Sequence, residues 1–141
     1  MGGVGSTRAG DPLPIRVFQL DDSPDETTLL RYLLADCDGM EHVGCVNDPG
    51  ALLPALRDAR PDVLILDYSL GDHVRFEDIV RDVRRERPDL AVVCLTGCTD
   101  PESAATIRAS ALEGWVIKTS PLETLLAAIR GAGGRPISAN V

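Results

Sequence analysis

The chain has 141 residues, 44% hydrophobic and 26% charged, a balance that builds one folded domain and excludes wholesale disorder. Its formal net charge of -8 sets 22 acidic residues against 14 basic ones, which excludes a basic groove for nucleic acid or anionic lipid in this chain on its own. Nothing at the N-terminus resembles a signal peptide and no apolar run approaches the ~20 residues of a membrane span, so a cytoplasmic protein without membrane contact is expected.

Residues 1–14, rich in Gly, Ser and Pro, read as a flexible tail. Short apolar runs then alternate with amphipathic stretches. The runs are Ile15–Leu20, Val43–Val46, Val63–Leu66, Leu90–Leu95 and Trp115–Ile117, and their branched, non-alternating composition predicts strands covered on both faces. Between the first two, Ser23 caps a helix with Pro24 at its first position and Asp25 and Glu26 in its first turn. Leu29, Leu30, Leu33 and Leu34 form its apolar stripe. Asp48-Pro49 opens a second helix that Pro54 delays or kinks. Phe76, Ile79, Val80 and Val83 share the inner face of a third, with Arg81, Asp82, Arg84 and Arg85 outside. Asp100-Pro101 opens a fourth, holding Ala104, Ile107 and Ala111. A capping box, Ser120-Pro121-Leu122-Glu123, opens the fifth, which carries Leu125, Leu126 and Ile129 and stops at Gly131. The domain is thus expected over 15–131 and a linker or tail over 132–141.

This alternation predicts an α/β fold: a single-domain, doubly wound, five-stranded parallel sheet with helices on both faces. In such a sheet, ligands bind beyond the carboxyl ends of the strands. Those ends carry Asp21-Asp22, Asp67, Thr96-Gly97 and Lys118. Clustered carboxylates repel unless a cation sits among them, and an all-oxygen set suits Mg2+. Lys118 is the only lysine beside 13 arginines, a compact ammonium suited to a phosphoryl or carboxylate oxygen. Asp67 is the candidate nucleophile, a carboxylate that becomes an acyl phosphate, with Thr96 as a neighbouring hydroxyl.

From Ile15 to Gly131 the sequence resembles the receiver domain of bacterial two-component response regulators. The resemblance rests on Asp21-Asp22, Asp67 after Val63-Leu64-Ile65-Leu66, Thr96-Gly97, and Lys118 after Trp115-Val116-Ile117. It implies a flavodoxin-like strand order, 2-1-3-4-5. It also implies that Asp67 takes a phosphoryl group from a sensor histidine kinase, and that Mg2+ is held by Asp22, Asp67 and the Ser69 carbonyl, with Asp21 acting through water. Thr96 and the aromatic Trp115 are the implied switch residues, and they change the face formed by the fourth helix, fifth strand and fifth helix, a possible homodimer surface. No independent enzyme activity is implied.

Gly134-Arg135-Pro136-Ile137-Ser138 is similar to the stretch leading into a helix-turn-helix domain in the NarL/LuxR-type subfamily. That implies a regulator that touches DNA only through a further C-terminal domain. The loop Tyr68–Arg75 lacks the family's usual proline, Thr119 stands where proline follows the lysine, and Trp115 is larger than the usual Tyr or Phe. These departures keep a phosphorylation-independent interaction module as the alternative. An aspartyl-phosphate phosphatase is disfavoured, because its Asp-x-Asp pair is absent after the first strand and no cap domain fits the length. Ser69 and Cys98, two residues after Asp67 and Thr96, stand where the family tunes phosphoryl lifetime. His73 reads as a surface histidine in the loop near the site.

Overall fold

A computed structural model describes residues 13–133. The expectations for 1–12 and 134–141, including the similarity to a linker, lie outside the described residues. Along the chain run β1 (Ile15–Leu20), α1 (Pro24–Ala35), β2 (Met40–Val46), a 3-10 turn (Pro49–Ala51), α2 (Leu52–Ala59), β3 (Val63–Asp67), α3 (Phe76–Glu86), β4 (Ala91–Thr96), α4 (Pro101–Ala109), β5 (Gly114–Ile117) and α5 (Leu122–Gly133). The strands form one parallel sheet in the order β2-β1-β3-β4-β5, as the resemblance implies.

Strand pleating sends alternate residues to opposite faces. Phe18, Leu20, Leu64, Leu66, Val92 and Cys94 meet Leu52 and Leu56 of α2, Phe76, Val80 and Val83 of α3, and Ile107 of α4. Val17, Val63, Ile65, Val93 and Val116 meet Leu30 and Leu34 of α1 and Leu125, Leu126 and Ile129 of α5. All of β3 is buried, which is why it reads as an unbroken apolar run. At about 1.5–3 kcal/mol per fully buried aliphatic side chain, these two layers dominate the stability of the fold.

Ser23 caps α1, its side chain accepting the Glu26 N–H, and Asp100 caps α4 in the same way through the Ser103 N–H. The 3-10 turn delays α2 to Leu52, leaving Pro54 near its start where the missing N–H costs no helix bond. Five expectations are corrected. β2 begins at Met40 because an edge strand tolerates the polar Glu41 and His42. Leu29 is exposed, outside the buried stripe of α1. Arg84 is half-buried and ties α3 to Glu113 and to the Leu90 carbonyl.

The fourth correction is that α4 ends at Ala109 and Ala111 takes a left-handed conformation (φ 53°) beyond it. The fifth is that α5 passes through Gly131 to Gly133, whose missing side chain lets the helix rest on Ile15 and Val63. Of the four cysteines only Cys94 is fully buried, and all four are free thiols.

Candidate functional site: an acidic pocket at the carboxyl edge of the sheet

Three strand ends converge. Asp21 follows β1, Asp67 closes β3, and Lys118 follows β5. Asp21 and Asp67 are 2% and 3% exposed, while Asp22 faces solvent. Ligand oxygens of Asp21, Asp22 and Asp67 all lie within 4.8 Å of one another. Lys118 Nζ stands 3.3 Å from Asp67 Oδ1, 3.8 Å from Asp21 Oδ2 and 2.7 Å from Glu26 Oε1.

Backbone groups fix the acids. The Ser23 N–H donates to Asp21 Oδ1 at 2.9 Å, and the Ser69 N–H donates to Asp67 Oδ1 at 3.3 Å. Asn47 donates its side-chain amide to the Asp21 carbonyl at 2.8 Å. Burial pushes the Asp21 carboxyl up to about 7, with hydrogen bonding to Glu26 and the charge of Asp67 adding to the push against the Ser23 N–H. Burial also raises Asp67, opposed by Lys118 and the Ser69 N–H. Lys118 is raised as well, for a different reason: burial disfavours its charge, but Glu26, Asp67 and Asp21 together outweigh that. Lys118 itself holds Glu26 below the ordinary carboxylate range.

Three carboxylates therefore share one ammonium, and Asp22 adds a fourth acid beside them. Buried acids that resist ionising are stabilised by a further cation, and three oxygen donors within a few ångströms suit a hard divalent ion that keeps some of its waters. The residues present fit Mg2+ on that ground.

Thr96 ends β4 and is fully buried. Its Oγ1 accepts the Cys98 N–H at 2.9 Å and donates to the Cys98 carbonyl at 3.4 Å, so its hydroxyl is engaged within its own turn. Trp115 pairs with Cys94 in the sheet register and is 37% exposed, facing outward. Ser69 is exposed, its Oγ 3.6 Å from Cys98 Sγ. His73 is exposed in the loop. Gly71, at φ +108°, takes the turn in that loop. Without a side-chain acceptor at its N-cap, α3 begins after Arg75. The predicted site residues Asp21, Asp22, Asp67 and Lys118 come together, with Thr96 and Ser69 flanking them and Trp115 on the outer side of β5.

The sequence pattern of the response regulator receiver domain matches residues 17–130. The chain belongs to that family. A response regulator GacA of Pseudomonas viridiflava is 30% identical over 129 residues, covering 90% of this chain and 60% of that protein. The DNA-binding transcriptional activator DevR/DosR of Mycobacterium tuberculosis is 32% identical over 130 residues, 89% of this chain and 58% of its own. This receiver thus spans about 60% of the length of such curated relatives.

The isolated REC domain of RcsB from Salmonella enterica serovar Typhimurium, solved with phosphomimetic BeF3-, superimposes with a TM-score of 0.74 at 25% identity. It covers 83% of this chain and 88% of that one. RcsB bound to promoter rprA gives 0.73 at 26% identity, with coverage of 82% and 98%. These neighbours are consistent with the NarL/LuxR-type subfamily. The receiver is a signalling domain of two-component systems, and none of its described helices is long and apolar enough to cross a membrane.

One site residue escaped the sequence reading. Glu26 reads as an acid favoured by the dipole of α1, yet it makes the shortest contact to Lys118. Its position three residues after the capping Ser23, on the turn that opens beside the strand ends, was the available signal.

Proposed function

We propose that this receiver accepts a phosphoryl group on Asp67 from the phosphohistidine of a sensor histidine kinase. The observation that carries the reading is the Lys118 ammonium 3.3 Å from a buried Asp67 within a cluster of acids. An Asp67 oxygen forms the new bond to phosphorus as the phosphorus–nitrogen bond breaks, the imidazole leaving with the electron pair. Lys118 neutralises a phosphoryl oxygen through a compact ammonium. Asp21 and Asp22, with Asp67 and the Ser69 carbonyl, would hold Mg2+, which supplies further charge neutralisation when bound.

Thr96 leaves its turn for the modified aspartate, and Trp115 moves from solvent toward the sheet. The α4-β5-α5 face then changes partner preference, a population shift limited by the differential contacts of the two states. A homodimer through that face is the proposed output, with DNA reached only through a separate C-terminal helix-turn-helix domain. The proposed compartment is the cytoplasm, where the kinase presents its phosphohistidine.

The test is intact mass after incubation with acetyl phosphate, with and without Mg2+, beside Asp67→Asn. One added phosphoryl group, only with Mg2+ and only in the parent, is expected. Absence of any adduct, including after transfer from a histidine kinase, would replace this reading with a phosphorylation-independent interaction module.

A further inference from the structure

Lys118 is the chain's only lysine, and its closest partner is not the proposed acceptor. Glu26 Oε1 lies 2.7 Å from Nζ, Asp67 Oδ1 3.3 Å and Asp21 Oδ2 3.8 Å. The Glu26 backbone is fixed by the Ser23 cap, whose hydroxyl accepts the Glu26 N–H. The pair joins α1 to the end of β5 across 92 positions of sequence.

We infer that Glu26 is a restraining latch on Lys118. It holds the ammonium on the α1 side of the pocket and so slows phosphoryl acceptance at Asp67. The inference rests on the proposed role of Asp67 as acceptor. Two effects act in the same direction. A phosphoryl oxygen must draw the ammonium away from, or share it with, a carboxylate already in short contact. The added negative charge also meets Glu26 as a fourth acid beside Asp21, Asp22 and Asp67. Glu26 is thus a positioning residue acting through Lys118, and the phosphorylated state forms against its pull.

A single lysine makes the latch directly visible. Protein labelled with 15N-lysine gives one side-chain signal, that of Lys118 Nζ, and the same samples can be phosphorylated with acetyl phosphate and Mg2+. There an Asp67 oxygen bonds to phosphorus while acetate leaves with the electrons of the broken bond. Glu26→Gln removes the charge and keeps the shape, Glu26→Asp keeps the charge and loses the reach, and Asp25→Asn removes an exposed acid of the same turn.

The Nζ signal is expected to move in both Glu26 variants and to stay in place in Asp25→Asn. Phosphorylation of Glu26→Gln should run roughly two- to fivefold faster than the parent, the range of a partly exposed ion pair, with Glu26→Asp between them and Asp25→Asn at the parental rate. A parental Nζ signal and rate in Glu26→Gln, or a slower rate, would overturn the latch while leaving Asp67 as acceptor. A parent that takes no phosphoryl group would overturn the acceptor reading and the latch with it.

Discussion

Two glycines of α5, two residues apart, should respond to the same substitution with opposite signs. At Gly131 a Cβ meets nothing within 4 Å, and alanine replaces the residue that loses most backbone freedom on folding. Gly131→Ala should therefore stabilise by about 0.5–1 kcal/mol. At Gly133 a Cβ would lie 2.7 Å from Ile15 Cγ2 and 2.7 Å from Val63 Cγ2. Val63 cannot retreat: it is fully buried and registered between Val17 and Ala91, and its branched side chain is stiff. Overpacking of this kind costs about 1–3 kcal/mol, or a fall of very roughly 3–10 °C in Tm for a domain of this size.

Urea denaturation of both variants, with Val63→Ala introduced into each, measures the effect. Removing the Val63 methyls should relieve much of the Gly133→Ala penalty and leave the Gly131→Ala gain unchanged, a coupling that only contact produces. Equal stabilisation by both substitutions would refute the docking of α5 on the start of the sheet.

The acids predict a pH dependence. Asp21 is raised from 3.8 to about 7 by burial, so it costs the fold nothing below about pH 4, where it is protonated in both states, and its full penalty above 7. The penalty approaches ~4 kcal/mol at 1.36 kcal/mol per unit. Asp67 shifts in the same sense, while the lowered Glu26 contributes stability that is lost as pH falls below its ordinary range. Without added metal the melting temperature should fall between pH 5 and pH 8, and Mg2+ should restore more at pH 8 than at pH 5; a flat profile would contradict the buried-acid account.

Thr96→Val should cost about 1–3 kcal/mol in denaturation, because the Cys98 N–H loses its acceptor, whereas Thr96→Ser should stay near the parent. Ala111→Gly should raise the unfolding free energy by roughly 0.5–1 kcal/mol, since alanine at φ 53° pays for a left-handed backbone; a lower stability would argue against that conformation.

What the sequence disclosed and what it concealed divide along a physical line. The buried strands announce themselves because both faces are apolar, and Asp21, Asp67, Thr96 and Lys118 because each terminates such a run. Ser23 and Asp100 are local signals, complete within a few residues. Concealed features depend on distant partners. Glu41 and His42 look unlike a strand until the edge position of β2 is known. Gly131 looks like a helix stop until Gly133 is seen to need contact with Ile15 and Val63. Nothing near Ala111 marks the left-handed turn, since alanine favours continuing the helix. Glu26 looks like a dipole partner until Lys118 arrives from the far edge of the sheet.

The seat of Gly133 on Ile15 and Val63 also decides how the molecule can be wired. Ile15 opens β1 and Val63 opens β3, whereas the acids stand at the other ends of those strands, about 20 Å away for a six-residue strand. The first strand and the last helix therefore begin and finish at one pole, with the chemistry at the other. A short peptide joining these ends, with new termini opened in the loop between α2 and β3, should yield a circular permutant with its pocket intact. Reporter modules spliced at the joined pole would sense the pocket only through the body of the sheet.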